Sequence, residues 1–104
     1  MIRDVTDRDF DQVVERSMVP VLVEFWKPGC PSCQALMRQL KQVEQDVAGK
    51  ILILKMNVED NFQIPGELDI HSLPALALYQ EGHFERFIGG IGTREEILKQ
   101  LPLA

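Results

Sequence analysis

Residues 21–58 contain the pattern that most restricts what this chain can become. Val21-Leu22-Val23-Glu24-Phe25-Trp26 is nearly continuous apolar sequence, ended by Pro28-Gly29, as expected of a central strand covered on both faces. From about Pro31 the apolar residues Leu36, Leu40, Val43 and Val47 recur at spacings of four, three and four. That is the period of a long helix laying one stripe on a sheet and stopping near Gly49. Residues 51–58 are a second apolar run. Two strands joined through a helix make a parallel, right-handed βαβ unit, whose strands end side by side.

The flanks extend this unit into an α/β domain. Residues 2–5 read as a short strand. Thr6 or Asp7 can cap a first helix carrying Phe10, Val13 and Val14, closed by Met18-Val19-Pro20. An irregular stretch through Gln63, Pro65 and His71 leads to strands over residues 75–79 and 84–88, which flank Gln80-Glu81-Gly82-His83 as an antiparallel hairpin. Thr93-Arg94-Glu95-Glu96 has the capping-box pattern, and Ile97, Leu98 and Leu101 give a final helix its apolar face up to Pro102. With 104 residues, 45% of them hydrophobic, residues 1–104 are expected to form one domain around one core, without a linker.

A formal net charge of −5 argues against general affinity for nucleic acid or anionic membrane, so proteins or small molecules are the expected partners. Met1-Ile2-Arg3-Asp4-Val5-Thr6 has no basic stretch leading into an apolar run, and no run approaches membrane-spanning length. A cytoplasmic monomer is the expectation.

The chain has two cysteines, Cys30 and Cys33, and a reducing cytosol would not maintain a structural bridge between them. Chemistry is the better reading. At the start of a helix, Cys30 faces unpaired backbone donors and the positive end of the helix dipole, which stabilise a thiolate. Cys30 is the nucleophile that attacks a substrate disulfide; Cys33, one turn on and more buried, resolves the mixed disulfide. Glu24, inside an apolar strand, is poorly solvated, has a raised pKa and can accept the Cys33 proton. Lys55 interrupts the neighbouring strand, and pairing with Glu24 beneath the cysteines would satisfy two costly buried charges. The alternative for both is a strand-edge charge reaching solvent. Trp26, just before the motif, is core, contact surface or both. A closed zinc site needs four ligands, and beyond the cysteines there are only His71 and His83, without paired spacing. No metal is expected, and both histidines read as solvated loop residues.

Together, Val5-Thr6-Asp7 with Phe10, the run from Val21 to Trp26, Cys30 to Cys33, Lys55-Met56-Asn57-Val58-Glu59, Leu73-Pro74-Ala75 and Gly82 give a chain that resembles the thioredoxins along essentially its whole length, in a gap-free register. The resemblance implies the thioredoxin fold, a central mixed β-sheet flanked by helices on both faces. Glu24 matches the family's buried acid, usually an aspartate, and Lys55 its partnering lysine. Leu73-Pro74 matches a cis-proline turn that lies against the cysteines and presents backbone groups to an extended substrate, with Gly89-Gly90-Ile91 as a further wall. The implied substrate-binding residues are Trp26, Pro31, Ser32, Leu73, Pro74, Gly90 and Ile91. The implied activity is reduction of protein disulfides without a bound cofactor, sustained by an external thioredoxin-reductase-type donor, flavin- or ferredoxin-linked.

Departures from the family pattern concern tuning. Thioredoxins usually carry Trp-Cys-Gly-Pro-Cys, whereas this chain has Gly29-Cys30-Pro31-Ser32-Cys33. Pro31 removes a backbone donor near the Cys30 sulfur, and Ser32 adds a hydroxyl able to donate to it. Gly29, Lys27 and Pro28 alter the adjacent surface, where partners are recognised. Arg38 stands where many thioredoxins have a helix-kinking proline, so a straighter helix is expected. Two other readings remain: a more oxidising disulfide exchanger or isomerase, and a non-catalytic binding module on the same fold. Cytosolic placement favours the reductant over the first, and retention of the catalytic landmarks disfavours the second.

Overall fold

The computed structural model describes residues 1–103. Its strands are β1 (Arg3–Asp4), β2 (Val21–Trp26), β3 (Leu52–Asn57), β4 (Ala75–Gln80) and β5 (His83–Phe87); its α-helices are α1 (Pro31–Val47), α2 (Gln63–Glu67) and α3 (Arg94–Leu98). One mixed sheet has the order β1-β3-β2-β4-β5. The first three strands in that order are parallel, and β4 and β5 run antiparallel to their neighbours. This is the thioredoxin-type α/β architecture expected from the sequence.

β2 sits at the centre, and every side chain from Val21 to Phe25 is buried, which accounts for its unbroken apolar run. Successive residues alternate between faces. Leu22, Ile53, Leu76 and Leu78 pack with Leu36, Leu40, Val43 and Val47 of α1 and Ile97 of α3, while Val21, Val23 and Phe25 pack on the other face with Phe10, Leu54, Met56 and Ile64. Glu24 therefore falls on the α1 face. α1 runs uninterrupted past Arg38 and ends where Ala48 adopts a left-handed conformation, φ 49°.

Three segments differ from expectation. The helix expected from Thr6 or Asp7 is a turn followed by a single π-helical turn, Asp11–Glu15, in which Arg16 N–H reaches Asp11 O at 3.2 Å. Of the two expected caps, Thr6 serves the turn that leads into it, its hydroxyl accepting from Asp9 N–H at 3.2 Å, and Asp7 does not. Thr6 N–H donates to Asp9 Oδ1 at 2.8 Å, and the Asp7 carboxylate accepts from the N–H groups of Gln63 and Ile64, each at 2.9 Å. Asp7 thus caps α2, a helix in the stretch expected to be irregular. Phe62 at the α2 N-cap offers no side-chain hydrogen bond, so the helix lacks a local start signal and takes its cap from a residue 56 positions upstream of Gln63.

The hairpin is tighter than expected. Glu81 and Gly82, at φ 52° and 81°, make a two-residue turn of the primed kind that matches strand twist. His83 is consequently the first residue of β5 rather than a loop residue. A bulge leaves Glu85 unpaired between the Leu78–Arg86 and Tyr79–Phe84 pairs. Gly82 is required here, since a Cβ would stand 2.6 Å from the Glu15 carbonyl oxygen. At the other end Thr93 caps α3 as expected, its hydroxyl accepting from Glu96 N–H at 3.2 Å. The helix itself stops at Leu98, although Leu101 still reaches the core.

Asp7→Ala is expected to lower the free energy of unfolding by about 1–2 kcal/mol, the range for removing a helix cap. Urea unfolding measures it. A change confined to a few tenths would show that α2 does not depend on this carboxylate.

Candidate functional site

Gly29, at φ 72°, turns the chain sharply after β2. Cys30 follows in extended conformation as the N-cap of α1, with Pro31 in the first turn, where its missing N–H removes no helical bond. Cys33 N–H donates to Cys30 Sγ at 3.2 Å, and Ser32 Oγ lies 3.5 Å from the same sulfur. The two cysteines are joined as a disulfide with Cα atoms 5.3 Å apart. Cys30 is 7% exposed and Cys33 2%, so Cys30 presents the attackable sulfur. The α1 N-terminus and the Cys33 N–H both favour negative charge on it.

Glu24 lies beneath the pair. Its side chain is fully buried and neither carboxylate oxygen has a hydrogen-bond partner, which rules out the alternative of a charge reaching solvent. Burial pushes its carboxyl up to about 8, with the Lys55 charge pulling the other way. Glu24, Trp26, Cys33, Gln34, Met37 and Lys55 line a cavity of about 170 Å³.

The expected Glu24–Lys55 ion pair is corrected by the geometry. The residues are opposite each other in the parallel β2–β3 register, yet no hydrogen bond joins them. Lys55 instead holds its ammonium 5.6 Å from the centroid of the Trp26 ring. A long lysine stem keeps its charge hydrated at a cavity rim, where the indole face attracts it. A carboxyl held largely protonated near neutrality offers it little.

On the other side of the α1 start, Ser32, Pro74 and Ile91 line an open groove of about 380 Å³ together with Ala35, Arg38 and Gln39. The Leu73–Pro74 peptide is cis, as the family resemblance implied. The other expected contacts separate from this groove. Trp26 lines the Glu24 cavity, the Leu73 side chain packs against the opposite core cluster, and Pro31 is exposed on the first turn of α1. Gly90, at φ 59°, stays outside the lining, where Gly92 takes part. Sequence reasoning missed Ala35, Gln39 and Gly92 in the groove and Gln34 and Met37 at the cavity. The helical spacing of Ser32, Ala35 and Gln39 was the available signal for one groove wall.

Among the described residues no group of three or more His, Cys, Asp or Glu side chains is arranged to hold a metal, and no helix is long and apolar enough to cross a membrane. His71 is exposed and paired with Asp69 at 2.7 Å.

The thioredoxin family model matches residues 1–102. This chain belongs to the thioredoxin family. It is 37% identical to the thioredoxin of Rickettsia bellii over 99 residues, 95% of this chain and 94% of that one. It is 38% identical over 78 residues to the thioredoxin of Haemophilus influenzae, and equally to Thioredoxin 1 of a Nostoc species, covering 75% of this chain and 73% of each relative. With its adjacent cysteine pair, this thioredoxin-family protein is a thiol–disulfide oxidoreductase acting as a protein-disulfide reductase.

The buried carboxyl sets a pH dependence. Between its ordinary value of 4.5 and its folded value of about 8, the folded chain binds more protons at Glu24 than the unfolded chain does. Stability contributed by this group therefore falls as pH rises through that window. Unfolding in urea at pH 5, 7 and 9 should show a loss on the order of 3 kcal/mol attributable to Glu24. Glu24→Gln should remove that slope. Parallel profiles for the two proteins would mean that Glu24 ionises as an ordinary carboxylate.

Proposed function

We propose that this protein is a cytoplasmic reductant of protein disulfides, in which Glu24 manages the Cys33 proton and the groove beside Pro74 receives the substrate. The observation that carries this reading is the fully buried, unpartnered Glu24 carboxylate sharing a cavity with Cys33.

In the reduced protein the Cys30 thiolate attacks one sulfur of a substrate disulfide. The substrate S–S bond breaks, its second sulfur leaves as a thiolate that takes a proton, and a Cys30–substrate disulfide forms. In the fraction of molecules whose Glu24 is ionised, Cys33 then gives its proton to that carboxylate and attacks Cys30 Sγ, releasing the remaining substrate thiolate. Two electrons have passed to the substrate, and the Cys30–Cys33 disulfide remains. A carboxyl near 8 is matched to a thiol at neutral pH, and the 170 Å³ cavity has room for a water relay between them. Lys55, at the cavity rim, positions Trp26 and moderates the rise in the Glu24 pKa.

The substrate reading rests on Ser32, Pro74 and Ile91 sharing one groove; Pro31 and the backbone at Leu73 and Gly90 flank it. An external thioredoxin-reductase-type donor would return the electrons, linking the protein to electron transport and redox homeostasis. A cytoplasmic setting fits a chain whose two cysteines are one reactive pair.

A more oxidising role has one observation in its favour: Ser32 Oγ, 3.5 Å from Cys30 Sγ, can stabilise the thiolate and so the reduced state. The equilibrium reduction potential decides, titrated against a defined dithiol and read by alkylation and mass shift. A reductant is expected near about −270 mV, the figure typical of thioredoxins, and an oxidant or isomerase nearer about −180 to −120 mV. Ser32→Ala should shift the potential to more negative values, and Cys33→Ser should accumulate the mixed disulfide. If no reversible disulfide formed, the binding-module reading would replace both.

A further inference from the structure

Among the described residues, Arg38 is the only charged side chain lining the groove formed with Ser32, Pro74 and Ile91. It is exposed on an uninterrupted α1 and, among the described residues, makes no ion pair. Gln39, beside it in the lining, is already engaged, its Oε1 accepting from Arg94 N–H at 2.9 Å. On a chain of net charge −5, an unneutralised cation in this groove runs against the overall charge.

We infer that Arg38 is a specificity-determining residue, which receives a carboxylate from the substrate segment lying across Pro74. Disulfides flanked by an acidic residue are then reduced in preference to those flanked by neutral residues. This rests on the substrate groove proposed above. The planar guanidinium matches a carboxylate with two parallel donors, and the rest of the groove supplies no competing charge.

Helical geometry also gives a spacing. Arg38 is eight residues beyond Cys30, about 12 Å along the helix at 1.5 Å per residue. An extended peptide advances about 3.3 Å per residue. The favoured carboxylate should therefore lie three or four residues from the substrate half-cystine that Cys30 attacks. An exposed ion pair of this kind is worth up to about fivefold in affinity and weakens with salt.

The test uses two synthetic disulfide-linked peptides, identical except for Glu or Gln at the third and fourth residues from the half-cystine. The pre-reduced full-length protein is mixed with each, and single-turnover rate constants are read from alkylated products. At low salt the wild type is expected to favour the Glu peptide by about fivefold, with the ratio falling toward one in high salt and in Arg38→Gln, and partly retained in Arg38→Lys. An unchanged ratio in Arg38→Gln overturns the inference. Ile91→Asp separates the two levels. If it slows both peptides while Arg38→Gln leaves their ratio intact, the groove stands and Arg38 does not select. If it slows neither, the groove reading fails and the inference with it.

Discussion

β2 is hydrogen-bonded on both edges and buried on both faces, and the chemistry depends on how the chain leaves it. Its ladder to β3 continues to the last residue, where Trp26 O accepts from Val58 N–H at 2.9 Å. The polypeptide must then rise out of the sheet within a few residues, and Gly29 at φ 72° makes that turn. Cys30 consequently becomes the helix N-cap. The return through α1 to a parallel neighbour brings the C-terminal ends of β2 and β3 together, the place where open α/β sheets put their reactive groups. One crossover therefore fixes a sulfur at a helix N-terminus and a carboxyl in the sheet beneath it.

Those two groups are driven in opposite directions by their surroundings. Cys30 Sγ meets an N–H, a hydroxyl and the positive end of a 17-residue helix, all of which favour its anion. Glu24 meets an apolar sheet and a small cavity, which favour its neutral acid. Acid and base roles are commonly separated by such contrasting environments. The separation has a stability cost, because Glu24 occupies a core position without a hydrogen-bond partner. The cost is moderated near neutrality because the buried group is then largely uncharged. Lys55 lowers the Glu24 pKa from a distance while standing over Trp26, without forming an ion pair with the carboxyl.

The βαβ unit was legible because each of its signals is local: an apolar run, a break, a stripe at helical spacing, another run. The positions of Cys30 and Cys33 at the start of the helix and of Glu24 within the buried strand could be read from it. α2 was not legible, since Asp7 caps it from 56 residues upstream. The same contact commits the Asp7 carboxylate to α2, which leaves the adjacent turn to Thr6. The Lys55 position was legible and its partner was not, because strand register specifies which Cβ atoms face each other but not where a four-carbon stem carries its charge. The cis state of the Leu73–Pro74 bond came from family resemblance alone; local pattern does not specify a proline isomer.

The first turns of α1 divide the Glu24 cavity from the open groove. Cys33, Gln34 and Met37 border the Glu24 cavity, whereas Ser32, Ala35, Arg38 and Gln39 border the open groove. Residues only one position apart thus serve different compartments, because a helix rotates about 100° per residue. The cysteine pair stands between the two, with Cys33 lining the cavity and Ser32, whose hydroxyl is 3.5 Å from Cys30 Sγ, lining the groove. A change at Ser32, Ala35 or Arg38 therefore leaves the lining of the Glu24 cavity intact, and a change at Gln34 or Met37 leaves that of the groove intact. Arg38, which reads from sequence as only a straighter helix, falls on the groove face.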